Sequence, residues 1–331
     1  MMKKSLARSK TSRAFLCLLG FLLLTKTAVA ATPLQTHDLN PLTLVYGLPL
    51  ISPAKLPGPD QSFFSASYNR SNTLNVEDTP SENLFIDGET SELNLIYLFS
   101  ISNNTHVRLR IPFISHRAGS LDNFIDDFHD TFGFPAGKRA DYPADQFLFS
   151  YSLDGRERLR MDTANHGLGD ISIDAAYQLY AGSSQAASIW TSIKLPSGDN
   201  DLLTGSGKID ASLWLSAESD FRQDWSSYYN IGLLIPGKSQ ILPELQKSTV
   251  YFGTAGIEWR AMDHLTFNIQ LDFHSAFYNS HTTFLGDSIQ ISSGGHIKLN
   301  PSQRIEIVVV EDIYVGASPD VTFQLGYSQL F

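Results

Sequence analysis

The chain has 331 residues, with 24 Lys and Arg against 34 Asp and Glu, a formal net charge of −10. Hydrophobic residues make up 42%, aromatic residues 11% and charged residues 18%, too apolar for a disordered chain and too poor in charge for a coiled coil. The acidic balance argues against nucleic acid as a partner. Beyond the first thirty residues no stretch approaches the ~20 apolar residues of a membrane-spanning helix.

In chain order, the first element is a leader. Met1, Met2, Lys3, Lys4, Arg8, Lys10 and Arg13 form a positive region without an acid, and an apolar core runs from Ala14 to Leu24. Ala28 and Ala30 place small residues at the −3 and −1 positions of a signal-peptidase site. The expectation is a secretory signal over 1–30, cleaved near Ala30, because the apolar run is too short for an anchor. Cys17 leaves with it, since Leu16 is not the small residue that a lipoprotein signal needs before its cysteine. Cleavage takes six of the 24 basic residues and no acid, leaving 18 against 34 and a net charge of −16. The mature chain then has no cysteine, so a core, a metal or a membrane must hold it. Residues 31–60 are expected as a periplasmic N-terminal segment.

From Gln61 onward the dominant signal is alternation, the period of a strand with two unlike faces. Leu265, Phe267, Ile269, Leu271 and Phe273 share one face; Thr266, Asn268, Gln270, Asp272 and His274 share the other. Val107, Leu109, Ile111 and Phe113 alternate in the same way with His106, Arg108 and Arg110. Twelve such segments fall at about 61–71, 90–101, 105–115, 169–181, 186–196, 207–219, 225–236, 249–261, 264–277, 287–298, 303–312 and 320–331. They exceed the usual strand of about five or six residues. Long strands with an apolar face and a charged face predict an all-β fold, a closed transmembrane antiparallel β-barrel over 61–331. Short turns alternate with longer connections along the whole chain, as short periplasmic turns alternate with long external loops in such barrels. An even count leaves both ends in the periplasm.

The stretch 146–161 also reads as a hairpin, turning at Asp154-Gly155. Counting its arms as spanning strands gives fourteen. The second arm would show lipid Glu157 and little apolar surface besides Leu159 and Met161, so twelve strands are preferred and the hairpin is assigned to a long external loop over 116–168. Within that loop Leu121, Phe124, Ile125, Phe128 and Phe132 fall at helical spacing, with Ser120 as a cap and Gly133 as a stop. A short amphipathic helix is expected there. Three readings of it stay open: packing over the barrel mouth, a gate built from Phe124, Asp126, Asp127, Phe128, His129 and Asp130, or a cation or sugar site. The acids lack the spacing of a known calcium loop.

On this register Arg108, Arg110, Asp174, Asp210, Glu258, Arg260, Asp272, His274 and Lys298 point inward, as do Lys208, Glu218 and Glu306. They form either a polar ladder for a small-molecule solute or a self-satisfied network. The last strand alternates Val321, Phe323, Leu325, Tyr327, Gln329 and Phe331. Its aromatics Phe323, Tyr327 and Phe331 resemble the C-terminal signal that outer-membrane barrels show to their assembly machinery.

Four segments carry a further resemblance: Asn40–Pro49, Phe124–Pro135, Gly167-Leu168-Gly169-Asp170-Ile171, and Lys194-Leu195-Pro196-Ser197-Gly198-Asp199. Together they resemble a family of Gram-negative outer-membrane barrels known only as a domain of unknown function, over about residue 40 to the end. The Gly-Leu-Gly-Asp and Lys-Leu-Pro-Ser-Gly-Asp elements also resemble those of outer-membrane channels for hydrophobic or aromatic compounds. The resemblance implies a fold and a place in the outer membrane, among lipid and lipopolysaccharide, and brings no activity.

Three functions compete. A narrow passive channel or solute-binding pore leads, since a twelve-stranded barrel encloses more space than a filled eight-stranded one. A lipid-modifying hydrolase needs a nucleophile and a base within reach. None of the nine histidines sits in a His-x-Ser or Ser-x-His pair, so an enzyme is the less favoured and undecided reading. A structural or adhesin barrel acting through its loops is the third. No catalytic, cofactor-binding or metal-ligating residue and no cofactor is assigned.

Overall fold

A computed structural model describes residues 31–121, 142–314 and 316–331. Among these there are fifteen strands and no helix: β1 (Ser62–Asp78), β2 (Glu82–Ser100), β3 (Thr105–Arg117), β4 (Leu148–Leu153), β5 (Arg156–Met161), β6 (Asn165–Leu168), β7 (Ser172–Ala181), β8 (Gln185–Lys194), β9 (Asp210–Arg222), β10 (Trp225–Ile235), β11 (Val250–Met262), β12 (Leu265–His274), β13 (Ser288–Asn300), β14 (Gln303–Asp312) and β15 (Val321–Leu330). The helix expected at 120–132, and with it the gate residues Phe124, Asp126, Asp127, Phe128, His129 and Asp130, falls mostly or wholly outside the described residues.

Alternating residues cannot bury one face and wet the other unless the sheet has an inside, and an edge in lipid would strand its backbone groups. The sheet therefore closes. β1, β2, β3 and β7 to β15 pair antiparallel in sequence order, and β15 returns to β1 with Phe63 opposite Leu330 and Asn72 opposite Val321. That makes a twelve-stranded closed barrel. The hairpin of β4 and β5 extends the sheet outside the ring, pairing β4 with the start of β2. Its turn is set by Asp154 and Gly155, both at positive φ (51° and 71°), as a two-residue hairpin turn demands. β6 pairs with the end of β3.

The two faces separate sharply. On β10, Ile231 is 69% exposed and its neighbour Asn230 is 6% exposed; on β12 the corresponding values are 60% for Ile269 and 0% for Gln270. The apolar face is thus outside, toward lipid, and the polar face inside. Near the short turns Trp225, Trp259 and Phe267 stack on the outer surface at centroid distances of 5.7 and 5.8 Å, in the manner of an interfacial aromatic girdle. Register shifts fall beside the short turns, at Arg260/Met262 and Lys298/Asn300, where barrel rims commonly bulge.

Residues 31–60 correct the expectation of a segment outside the barrel. They enter the lumen. Six prolines in this stretch (33, 41, 49, 53, 57 and 59) deny it a ladder of its own. Its remaining backbone groups must still be paired when buried, and side chains of the barrel wall pair many of them.

Candidate functional site

The lumen segment rises from the short-turn end, turns at the long-loop end and descends. On the rising limb, Thr32 N donates to Glu258 Oε2 at 2.7 Å and Asn268 Nδ2 donates to Thr32 O at 3.0 Å. Gln270 holds both sides of Leu34, accepting from its N–H and donating to its carbonyl, each at 3.2 Å. Thr36 Oγ1 donates to Asp272 Oδ2 at 3.0 Å, and Asp38 Oδ2 meets His274 Nε2 at 2.8 Å. On the falling limb, Asn230 pairs with the backbone of Ser52, Trp190 Nε1 donates to Pro53 O at 3.3 Å, and Gln178 accepts from Leu56 N at 2.8 Å. Ser100 Oγ donates to Gly58 O at 3.0 Å, back at the short-turn end.

At the long-loop end the segment turns through residues 40–46 into an apolar core. Leu42, Val45 and Tyr46 pack with Leu84, Phe149, Leu203, Leu242, Phe277 and Phe284. Tyr46 stacks on Phe277 at 4.9 Å, and Tyr278 donates its hydroxyl to Leu42 O at 2.8 Å. Burial pushes the Tyr278 hydroxyl well above its ordinary pKa, so it stays a donor.

A charged clamp sits beside this turn. Lys194 Nζ reaches Asp170, Asp210 Oδ2 at 3.0 Å, and Val45 O at 3.1 Å. Asp210 also accepts from Gly47 N and Gly237 N, both at 2.8 Å. Asp170 accepts from Gly198 N at 2.7 Å and Ser206 N at 3.0 Å. Ser197 Oγ donates to Gly169 O at 2.9 Å and accepts from Ile171 N at 2.8 Å. The Gly-Leu-Gly-Asp and Lys-Leu-Pro-Ser-Gly-Asp elements are therefore two halves of one structure. They tie the loop after β8 to the start of β7 and fasten the lumen segment at its turn.

The nine charged residues singled out on the strands fall as follows. Arg108 pairs with Asp174 at 2.5 Å and lies 4.7 Å from the Trp190 ring centre. Arg110 pairs with Glu92 at 2.5 Å and touches His37 Nδ1 at 3.3 Å. Asp210 belongs to the clamp. Glu258 accepts from Arg260 at 3.0 Å, and Arg260 also pairs with Asp220 at 3.2 Å. Asp272 gathers Thr36, Thr254, Gln270 and Ser292. His274 holds Asp38, and Lys298 faces a cavity at the short-turn end. Glu92, Lys194, Gln178, Asn230 and Gln270 were not among the candidates, although they hold or brace the segment. For Gln178, Asn230 and Gln270 the signal was available: amide side chains on inward faces suit a backbone that lacks a ladder.

Among the described residues no hydrolytic arrangement is assembled. Among the described residues the Ser–His side-chain contact is Ser100 Oγ with His106 Nε2 at 2.8 Å. The opposite ring nitrogen, Nδ1, has no partner, so no carboxylate orients the ring, and Nε2 also meets Pro57 O at 3.0 Å.

Fold and lumen define a closed transmembrane β-barrel filled by its own N-terminal segment. The COG4313 outer membrane channel from Pseudomonas putida F1 is similar in fold, with a TM-score of 0.55 and 11% identity over 84% of this chain and 97% of that one. The KdgM porin in complex with disordered oligogalacturonate gives 0.44 at 10% identity, over 82% and 99% of the two chains. The CymD monoaromatic hydrocarbon channel gives 0.39 at 9% identity, over 83% and 89%. Residues 14–331 match the family described as protein of unknown function (DUF3187), and the chain belongs to that family. No curated protein matches the chain.

Proposed function

We propose that this protein is a passive outer-membrane channel whose resting state is closed by residues 31–58. The observation that carries the reading is the way this segment is held. No strand ladder joins it to the wall; its limbs hang on side-chain hydrogen bonds to polar residues that a solute pathway would need in any case. Such bonds contribute about 0.5–1.5 kcal/mol each and exchange with water at little net cost, so displacement of a limb opens a polar path without breaking the barrel. The similarity in fold to an outer membrane channel supports the same reading. Delivery follows from the leader, removed near Ala30, and from the C-terminal strand, whose Phe323, Tyr327 and Phe331 we assign to recognition by the barrel assembly machinery. Phe331 is 60% exposed at the chain end, where a recognising partner can reach it.

Planar bilayer recording on the folded mature chain tests the gating. The intact protein is expected to show a closed baseline with brief openings. Asp38→Asn combined with Gln270→Ala, which loosens the rising limb, is expected to lengthen those openings several-fold. Silence of both proteins, with heat-modifiable gel mobility showing that both are folded, defeats the channel reading. Acyl release from labelled phospholipid by the same preparation would favour the hydrolase instead.

A further inference from the structure

A cavity of about 390 Å³ lies at the short-turn end of the lumen, between the two limbs of the N-terminal segment and the strands around them. Its walls differ in chemistry. Leu56, Phe63, Ile96, Leu98 and Leu330 supply an apolar side. Lys298 and Arg304, from β13 and β14, supply a cationic side. Arg304 Nη1 donates to Thr32 Oγ1 at 2.7 Å, yet among the described residues neither Arg304 nor Lys298 forms an ion pair with a carboxylate. The two acids of the cavity act on Arg304 only through space and spend their hydrogen bonds elsewhere. Glu258 accepts from Arg260 at 3.0 Å and Thr32 N at 2.7 Å. Glu306 accepts from Gln324 Nε2, and from Gln35 N at 3.4 Å.

Two cations held in a protein-walled cavity with no carboxylate at ion-pair distance, Arg304 feeling Glu258 and Glu306 only at longer range, are stabilised by an anion, and the attraction is stronger there than in bulk water. A simple inorganic ion would leave the apolar wall wet. The volume falls within the range of small-molecule sites, which bury most of a ligand against apolar walls and orient it with a few polar groups. We propose that this cavity binds an organic carboxylate with an apolar body, the carboxylate against Arg304 and Lys298 and the body against Phe63, Leu98 and Leu56. The charge requirement selects the acid over its neutral analogues; the apolar wall selects it over hydrophilic acids. The site stands whether or not the barrel conducts.

The test is calorimetric titration of the mature chain, folded in a non-ionic detergent, with 4-phenylbutyrate and with its neutral isostere 4-phenylbutyramide, each corrected against empty micelles. The acid is expected to bind at least ten-fold more tightly than the amide. Arg304→Gln with Lys298→Gln is expected to remove that preference. Lys298→Gln alone, at a partly exposed position where folding is safe, is expected to weaken the acid at least three-fold and leave the amide unchanged. Equal affinity for acid and amide, no detectable binding of the acid, or an acid affinity untouched by Lys298→Gln each overturn the proposal. Conductance is read separately, so a chain that binds the acid and never conducts defeats the channel reading and leaves this one intact.

Discussion

The two ends of the lumen are built on opposite principles. At the long-loop end the segment's turn is sealed into an apolar core and bolted by Lys194 between Asp170 and Asp210, whose side chains are 3%, 4% and 0% exposed. At the short-turn end the same segment leaves a cavity with cations that face it. One end is dry and ion-paired; the other keeps room and charge. On the proposed channel reading, such a passage would be locked on one side and receptive on the other. The contrast also separates the residues: those at the long-loop end should govern stability and closure, and those at the short-turn end should govern what binds.

The sharpest way to break the contrast is Lys194→Ala. It leaves two carboxylates buried without their ammonium, a loss on the order of 3–5 kcal/mol for a broken buried pair. The urea midpoint of the folded barrel should fall accordingly, and single-channel records should show longer openings because Val45 O and Asp210 are freed together. A barrel as stable and as closed as the parent would show that the clamp does not hold the segment. Tyr46→Ala comes next. It removes an aromatic side chain that is 1% exposed and stacked on Phe277, at a cost of about 3 kcal/mol, near the lower end for large-to-small core changes. The same unfolding measurement checks it, and a change below about 1 kcal/mol would mean that the turn is not part of the core.

Sequence and structure agree most closely where the period is purest. β14 spans Gln303–Asp312, the range read from alternation, because Asn300-Pro301-Ser302 stops one strand and an even run of Ile305, Ile307 and Val309 starts the next. β7 and β9 begin three residues later than expected, at Ser172 and Asp210. Asp170 and Ser206 are drawn into the clamp there, and a tertiary tie outweighs the pattern. Alternation also indicates which face Arg108, Asp174 and His274 occupy. It says nothing of their partners, which lie 66 residues away in the Arg108–Asp174 pair and 236 in the His274–Asp38 pair. The lumen segment was the least legible part. It has no period, few charges and many prolines, a pattern shared with any linker, and its meaning appears when inward amides such as Gln178 and Gln270 are counted as partners for a buried backbone.

The smallest predicted effect sharpens the contrast from the rim of the long-loop end. Arg158 of β5 pairs with Glu244 at 3.1 Å, but the two side chains are 37% and 36% exposed. An ion pair in that setting gains little in high dielectric and gives part of it back in side-chain entropy. Arg158→Ala should therefore change the unfolding free energy by no more than about 0.5 kcal/mol, and the closed baseline of the channel should not move. The hairpin of β4 and β5 would then rest on the packing of Phe149, Tyr151 and Met161 beneath it, all fully or nearly buried. A loss comparable to that of Lys194→Ala would instead place the lock of the long-loop end in its surface charges, and the division between a dry, bolted end and a receptive end would have to be redrawn.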